Sequence, residues 1–441
     1  MSVGVGPGRI DMLGGVADYS GSLVLQVATA VRTTAVASLA PCADEAGEVA
    51  ELESEGFGAP VRVPLRGLRA ALEAASGDAG ALQLAGVRAF LEGEAAPQFA
   101  RYMFGSLASF TRETGWLPPR AHALRISVSS TVPASQGVSS SASIEVATLR
   151  ALEALSGKSL GRLQLAHAAQ RAENFVVGAP CGLMDQLASA LGAPGEVLPI
   201  LCRPDDVRAL VPLPPSVTVV GWPSGVKHSV AASPYLVART ATFMGRRVAE
   251  RALGRKLAHA AELTPSELAV VLPTVPEAIS GADFLKEFGG VDDALSQIVP
   301  DTVYATRNSL RFPVEESFRC SLALSLLRAL QAQEKVGAGA AGAPDSGAAG
   351  DFHVAALTQI GELMRQSHRG YDSIGLGCHE TDVMLERLAA IGPARGIYGA
   401  RMSGGGSGGT VAVLLERSAL PLLEALAREL TFGTPFTGLI C

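Results

Sequence analysis

The pattern of apolar and polar positions predicts a protein in which strands and helices alternate along the chain. Short runs rich in Val, Thr and Ala, some with alternating apolar positions, suit half-buried strands. They predict strands over Val3–Val5, Leu23–Leu39, Ala123–Val128, Val197–Cys202 and Val217–Trp222. Helical spacing of apolar residues predicts helices over Leu65–Ala75, Ala81–Glu92, Ser143–Leu155, Leu160–Ala172 and Leu420–Leu430. The second half of the chain is expected to be largely helical.

The length of 441 residues predicts more than one hydrophobic core, so two domains are expected. We place the boundary near Asp205, with one domain over 1–205 and a second over 206–441. The polar segment Pro41–Pro60 is interpreted as a connection. The segment Val336–Asp351 carries almost no side chain that can be buried, and it predicts a mobile surface loop.

Composition excludes several classes of function. The net charge of −6 with no basic run argues against a nucleic-acid partner. No apolar stretch approaches the ~18 residues that span a bilayer, and no signal peptide is recognised at the start, so no membrane association is expected. The six cysteines show no C-x-x-C pair, which favours reduced thiols and a cytoplasmic enzyme. We expect a monomer or a weak oligomer.

The stretch "VPASQGVSSSAS" places a turn and three serines at the start of a predicted helix. The turn is shaped by Pro133 and Gly137, and the serines are Ser139, Ser140 and Ser141. A helix N-terminus presents unpaired N–H groups and a positive dipole end, which together suit an anion. One serine is enough for a cap, so the others are candidates to contact phosphate oxygens or Mg²⁺. The alternative is a capped helix after a flexible linker.

Two carboxylates bracket a Gly/Pro loop in "ENFVVGAPCGLMDQ". Glu173 and Asp185 stand on either side of the loop, so they can converge on one site, where one would bind a metal and the other act on a hydroxyl. The alternative is a pair of solvated loop charges. Asp185 is expected to be buried at a helix start and to need a cation. Arg9 is the obvious one, and it lies in the turn-rich stretch Gly6–Gln26, which we interpret as a ligand-binding loop.

The glycine-rich patterns of the sequence exclude three classes of enzyme. No G-x-x-x-x-G-K-[ST] sequence is present, so a P-loop enzyme is excluded. The G-x-G-x-x-G pattern of Gly404–Gly409 precedes a predicted strand, which is the wrong order for a Rossmann turn. The same order excludes Ser407 as the nucleophile of a hydrolase elbow.

Six segments, in order from Val3 to Val413, together resemble the GHMP small-molecule kinases, in particular galactokinases. They are "PGRIDMLGGVADY", "VPASQGVSSSAS", "ENFVVGAPCGLMDQ", "SGVKHSVAASPY", "GCHETDVM" and "GARMSGGGSGGT". The resemblance implies an α+β fold of two lobes, with a mixed sheet in the N-terminal lobe and the active site between the lobes. It also implies ATP-dependent phosphorylation of the anomeric hydroxyl of a sugar, with Mg²⁺.

The resemblance also implies roles for individual residues. Asp185 would accept the anomeric proton or orient that hydroxyl, and Arg9 would pair with Asp185 and stabilise charge on the phosphoryl group. Mg²⁺ would be bound by Glu173, Ser140 and Ser141. The sugar would contact Asp18, Tyr19, Gly182 and Tyr235, next to Gly15 and Val16. ATP would contact Pro133, Gly137, Ser139, Ser140, Ser141, Ala142, Gly404, Gly405 and Gly406.

One departure from the galactokinases predicts the substrate. They have Glu-His where this chain has Gly15 and Val16, and in that family the pair lies near the 6-hydroxyl of the sugar. L-arabinopyranose shares the C2–C4 stereochemistry of galactose and lacks C6, and "GGVADYSGSLVLQ" is similar to the L-arabinokinases. L-arabinose is therefore the expected substrate, with a galactokinase, another anomeric sugar kinase or a non-catalytic sugar sensor as alternatives. The double change Gly15→Glu with Val16→His would shift the preference to galactose, provided that the backbone at Gly15 accepts a Cβ.

Overall fold

The computed structural model describes residues 1–73, 80–179, 181–203, 205–226, 234–339 and 346–430. Strands and helices form two compact units that are interleaved along the chain. The first unit contains Met1–Arg9, Thr29–Ala134 and Ser139–Leu191, and the second contains Ile10–Ala28, Ser135–Val138 and the chain from Gly192 onward. The expected α+β class is confirmed. The domain limits of 1–205 and 206–441 stay a prediction.

The bounds of the regular elements follow. The strands are β1 Ser2–Leu13, β2 Leu23–Pro41, β3 Val49–Ser54, β4 Val61–Pro64, β5 His122–Ser130, β6 Glu196–Leu201, β7 Asp206–Val207, β8 Val211–Pro212, β9 Val217–Pro223, β10 Ile279–Ser280, β11 Val303–Tyr304, β12 Ile397–Met402 and β13 Thr410–Glu416. The helices are α1 Leu65–Glu73, α2 Gly80–Gly93, α3 Gln98–Thr114, α4 Ser140–Ser156, α5 Arg162–Arg171, α6 Met184–Leu191, α7 Pro234–Leu253, α8 Pro265–Val271, α9 Gly281–Phe288, α10 Thr306–Gly339, α11 Ser346–Ser373, α12 His379–Ile391 and α13 Leu420–Glu429.

The first unit is built on a mixed sheet. Strand β5 lies between the second half of β2, to which it is antiparallel, and β3, to which it is parallel. Strand β4 extends the sheet as the antiparallel neighbour of β3. In this half of β2, buried Val31, Thr33 and Ala35 alternate with more exposed residues, as expected of a strand with one covered face.

Strand β1 is longer than the sequence predicts. The prediction gave a strand over Val3–Val5 and a loop from Gly6, whereas the observed strand continues to Leu13 and carries Arg9. The glycines do not form a turn here. A Cβ on Gly4 would overlap the carbonyl of Ala147, and one on Gly6 would overlap the carbonyl of Ser143, so glycine lets the strand approach α4 closely.

The second unit contains an antiparallel sheet of β12, β13 and β9, and β6 pairs with the first half of β2. Its long helix α10 contains Pro313. Proline has no N–H to donate to the carbonyl of Ser309, four residues earlier. The hydroxyl of Thr242 on α7 lies 3.0 Å from that carbonyl and 2.9 Å from the carbonyl of Ala238, so its one hydrogen is shared between the two acceptors. The carbonyl of Ser309 therefore has a polar partner although Pro313 cannot donate to it.

One further sequence interpretation was wrong, and the mobility of Val336–Asp351 stays a prediction. The polar connection Pro41–Pro60 contains β3, in which Val49, Ala50 and Leu52 are buried. The predicted mobile loop Val336–Asp351 lies in part outside the described residues, at 340–345, and its described ends belong to α10 and α11. No helix in the described ranges is long and apolar enough to cross a membrane.

Candidate active site

Arg9 and Asp185 form an ion pair in the first unit. Strand β1 presents Arg9, which is only 3% exposed. Its Nε donates to Oδ1 of Asp185 at 2.9 Å, and its Nη2 lies 2.8 Å from the same oxygen. Asp185 stands in the first turn of α6 and remains partly exposed, where the helix dipole also favours a carboxylate. The sequence-based pairing of these residues is thus present in the structure.

Glu173 lies in a buried π-helical turn, Ala172–Val177, that follows α5. Such turns interrupt α-helices and often occur at functional sites. Oε2 of Glu173 accepts a 2.6 Å hydrogen bond from Nε2 of Gln186 and a longer one from Cys181 Sγ. Burial, and then the charge of Asp185, raise the pKa of Glu173 to about 7. A hydrogen bond from the Ser141 hydroxyl lowers this pKa and offsets part of the rise. The carboxylate therefore changes its charge near neutral pH.

Glu145 is a second buried carboxyl group, and the sequence interpretation missed it. It lies on α4, is 0% exposed, and its Oε2 accepts from Nε2 of Gln186 at 3.3 Å. Burial, followed by the proximity of Glu173, raises the pKa of Glu145 well above its ordinary value. Gln186 thus donates to two acids from one amide nitrogen. The one signal in the sequence was a glutamate among the apolar residues of a predicted helix.

The serine cluster coincides with the start of α4, as expected. Ser139 precedes the helix in the left-handed region at φ 60°, which is uncommon for residues other than glycine. Its Oγ is buried and has no hydrogen-bond partner among the described residues. Ser140 and Ser141 are half-buried in the first turn, while the fully buried side chain of Ala142 leaves only its backbone as a candidate contact.

Ser143 has a structural part in the same turn. Its hydroxyl is hydrogen-bonded to Thr33 Oγ1 at 2.7 Å and donates to the carbonyl of Ser140 at 2.8 Å. One unit therefore contains three groups that suit a phosphate or a metal ion: the buried hydroxyl of Ser139, which has no partner among the described residues, the N–H groups at the start of the 17-residue helix α4, and the carboxylate of Glu173. Oxygen donors of this kind fit Mg²⁺, and the helix start fits phosphate oxygens. Pro133 lies half-buried in the loop before it.

The glycine-rich loop, Ser403–Gly409, packs against Gly137 in the second unit. Gly404 has φ 77°, and a Cβ there would lie 2.8 Å from the carbonyl oxygen of Gly137. Gly406 has φ 87°, and its Cβ would lie 2.7 Å from Leu376 Cβ. Contacts between protein loops therefore explain these two glycines, whereas Gly405 is not in the left-handed region.

The short 3₁₀ turn Gly15–Ser20 carries Asp18 and Tyr19. Oδ1 of Asp18 accepts from the N–H of Tyr19 at 2.7 Å. The ring of Tyr19 packs edge-on to Tyr235 and stacks on Phe243, with ring centroids 5.9 and 6.1 Å apart. Burial, and then the charge of Asp18, raise the pKa of Tyr235, so its phenol is a neutral donor near Asp18.

Arg239 supports this aromatic group and was also missed. Its guanidinium lies 5.0 Å from the centre of the Tyr19 ring, within the range of a cation–π interaction. It pairs in bidentate fashion with Asp293, through two 2.9 Å hydrogen bonds. No feature of the sequence distinguished this arginine from the others of α7.

Gly15 and Val16 are held by Tyr371. Gly15 has φ 52°, and a Cβ there would overlap the Tyr371 hydroxyl and lie 2.7 Å from Nη2 of Arg401. Val16 is 3% exposed and donates its N–H to Tyr371 Oη at 3.0 Å. The double change Gly15→Glu with Val16→His was expected to work only if the backbone at Gly15 accepts a Cβ. The structure shows no room for a side chain there, so that condition is not met. Gly182, in the other unit, lies half-buried just before α6.

Comparison with known proteins shows to which protein family this chain is related. The sequence pattern described as "GHMP kinases N terminal domain" matches residues 101–193, and that of "GHMP kinases C terminal" matches residues 351–430. The chain is 31% identical to the galactokinase of Homo sapiens over 422 residues, which cover 94% of this chain and 84% of that protein. The chain belongs to the GHMP kinase family. The predicted family is therefore confirmed.

Other GHMP kinases are similar over nearly the whole chain. The L-arabinokinase of Arabidopsis thaliana is 29% identical over 477 residues, covering 96% of this chain but only 44% of that protein. The chain thus spans less than half the length of that relative. Among solved structures, Lactococcus lactis galactokinase complexed with galactose gives a TM-score of 0.66 at 20% identity, covering 97% of this chain and 89% of that one. Methanococcus jannaschii mevalonate kinase gives 0.54 at 14% identity, covering 97% and 94%. These two likenesses confirm the fold.

Proposed function

We propose that this GHMP kinase transfers the γ-phosphoryl group of ATP to the anomeric hydroxyl of L-arabinose, giving L-arabinose 1-phosphate and ADP. The observation that carries the kinase chemistry is the Arg9–Asp185 ion pair, which stands in the same unit as Glu173 and the serines of α4. Relatives named as an L-arabinokinase and galactokinases support a sugar as the acceptor.

In this proposal Asp185 accepts a hydrogen bond from the anomeric hydroxyl and orients its oxygen toward the γ-phosphorus. Oδ1 of Asp185 already accepts from Nε of Arg9 at 2.9 Å, which fixes the orientation of the carboxylate, so Asp185 contributes mainly by positioning the hydroxyl. As the bond from the γ-phosphorus to the bridging oxygen of ATP breaks, the anomeric oxygen forms the new bond and its proton passes to Asp185. Arg9 stabilises charge on the transferring group.

The ATP phosphates would be held by the N–H groups at the start of α4 and by the hydroxyls of Ser139 and Ser140. Glu173 and Ser141 would hold Mg²⁺, which when bound neutralises charge on the phosphates. Glu173 must be ionised for this task, and its pKa of about 7 makes that state accessible at neutral pH. Pro133, Gly137 and Gly404–Gly406 would shape the loops on which the nucleotide lies.

The sugar hydroxyls would be bound by Asp18 and Tyr235, supported by Tyr19, and by the backbone of Gly182. The pentose preference is supported by the turn at Gly15, because a side chain there has no room and Val16 offers only an apolar group. A hexose would bring its CH₂OH group toward that side chain. An apolar contact rejects an added hydroxyl only weakly, so the expected preference is moderate.

A panel of sugars with MgATP tests the proposal, with ADP release and the phosphorylated carbon as readouts. It should contain L-arabinose, D-galactose and D-fucose, which is 6-deoxygalactose. L-arabinose should be phosphorylated fastest and at C1, with D-fucose between the other two if the 6-hydroxyl causes the rejection. Sugar binding without ADP release would instead support a non-catalytic sensor, and faster turnover of D-galactose would identify a galactokinase.

A further inference from the structure

The hydroxyl of Tyr371 joins two loops that the sequence interpretation treated separately. Tyr371 lies near the end of α11 and is 0% exposed. Its Oη accepts the N–H of Val16 at 3.0 Å and donates to the carbonyl of Gly404 at 2.6 Å. One phenol therefore contacts both the Gly15–Ser20 turn and the glycine-rich loop.

The same hydroxyl occupies the space into which a side chain at position 15 would project. A Cβ built on Gly15 overlaps Tyr371 Oη and lies 2.8 Å from Tyr371 Cζ. The phenol of Tyr371 and a side chain at position 15 would therefore occupy the same space. A tyrosine at 371 requires glycine at 15, and an acidic residue at 15 would require a smaller residue at 371.

The surroundings hold the ring in place. The guanidinium of Arg401 lies 5.0 Å from the centre of the Tyr371 ring, and Phe312 packs edge-on at 5.5 Å. Arg401 is itself fully buried and pairs with Asp11, whose Oδ1 accepts from Gln26 Nε2 at 2.7 Å. A ring fixed by packing and by a buried ion pair cannot easily rotate to make room at Gly15.

We propose that Tyr371 is a specificity-determining residue, because its hydroxyl replaces a side chain at position 15 and holds the backbone of Val16 against the C5 edge of the sugar. This inference rests on the proposed function. Tyr371 acts through Gly15 and Val16, so it is a positioning residue. Removing its hydroxyl should loosen the turn, weaken sugar binding and make the pocket less able to reject a hexose.

The first test replaces Tyr371 by Phe. We expect the KM for L-arabinose to rise about 3- to 10-fold, the scale of a lost hydrogen bond to a backbone group. The ratio of kcat/KM for L-arabinose over D-galactose should fall by a similar factor, with a smaller change in kcat. Tyr304→Phe is the matched control, because Tyr304 is also buried and its Oη also accepts a backbone N–H, that of Val299 at 2.9 Å.

A second test measures the steric coupling directly. Gly15→Ala should reduce sugar phosphorylation strongly in the wild-type background, because the new methyl group overlaps the phenol. The same change should cost at least about 3-fold less in a Tyr371→Ala background, even though the positive φ remains unfavourable for alanine. The cycle isolates the interaction of the two positions, whatever each single change does to stability.

The outcomes separate this inference from the proposed function. If the wild-type protein phosphorylated no sugar, both would be overturned. If it phosphorylated sugars, but Tyr371→Phe matched Tyr304→Phe in sugar KM and in the pentose-to-hexose ratio, only the role of Tyr371 would be overturned. Additive effects of Gly15→Ala and Tyr371→Ala would also contradict the role of Tyr371. This second test remains decisive if Tyr371→Phe folds poorly.

Discussion

Gln186 donates a 2.6 Å hydrogen bond to Oε2 of Glu173, and the same amide nitrogen lies 3.3 Å from Oε2 of Glu145. Two acids are thus buried around one donor, and both have raised pKa values. Ionising Glu173 places a second negative charge beside Asp185 in a water-poor setting. Binding a cation would relieve that cost, which couples the charge state of Glu173 to its proposed task.

This arrangement predicts a pH dependence of stability. The pKa of Glu173 is raised in the folded protein, so the folded state binds more protons than the unfolded state between about 4.5 and 7. The corresponding contribution to the free energy of unfolding is present below 4.5 and is lost as the pH rises through about 7. Glu173→Gln removes it. The Tm of this variant, relative to wild type without metal, should therefore increase from pH 5.5 to pH 8.

The control for this experiment is Glu334→Gln, which changes an exposed acid on α10. Its Tm difference from wild type should stay flat over the same pH range. Adding MgATP at pH 8 should raise the wild-type Tm more than that of Glu173→Gln, because binding stabilises the native state. Parallel pH profiles of wild type and Glu173→Gln would contradict the raised pKa.

A second prediction concerns Asp185. Asp185→Asn keeps the size of the side chain and removes its charge, so it should lower sugar phosphorylation by at least ~10²-fold, the scale of a positioned acid–base group. ATP binding, followed by a fluorescent nucleotide analogue, should persist. Asp206→Asn changes a more exposed aspartate and should leave turnover unchanged. Near-full turnover in Asp185→Asn would remove this residue from the mechanism.

A third prediction separates the phosphate role of the serines from capping of α4. Alanine at both Ser140 and Ser141 should raise the KM for ATP or lower kcat, and leave sugar binding nearly intact. The loss of stability should be about 1 kcal/mol, the value of a cap. Ser143→Ala is the control, because its hydroxyl bonds Thr33 within the protein; it should cost stability without changing the ATP dependence. If the double variant kept its ATP dependence, the stretch would be a capped helix only.

The sequence was informative where local chemistry determines structure. The Val, Thr and Ala content of β2 and the apolar spacing of α4 are local features of the sequence, so these elements were predicted close to their observed bounds. The glycines of β1 were misinterpreted because Gly4 and Gly6 serve a packing contact with α4, more than 130 residues away. No local pattern distinguishes a glycine that permits a turn from one that permits a close approach.

The candidate site shows the same limit. Arg9 and Asp185 were paired correctly, but the expectation that Asp185 is buried was wrong, because its side chain at the start of α6 remains 28% exposed. Glu145 and Tyr371 were missed, because their importance arises from contacts across the chain with Gln186 and with Val16. Tyr371 lies 355 residues from Val16, so only the folded structure brings the phenol to the Gly15 turn.

The most direct test of the account is a competition between L-arabinose and D-galactose for the unmodified protein with limiting MgATP. An unpaired buried hydroxyl costs roughly 1–3 kcal/mol, so kcat/KM should favour L-arabinose by about 10- to 100-fold. The two sugar 1-phosphates, quantified from one reaction mixture, give this ratio independently of enzyme concentration. Equal amounts of the two products, or an excess of galactose 1-phosphate, would contradict the claim that Gly15, Val16 and Tyr371 select a sugar without a sixth carbon.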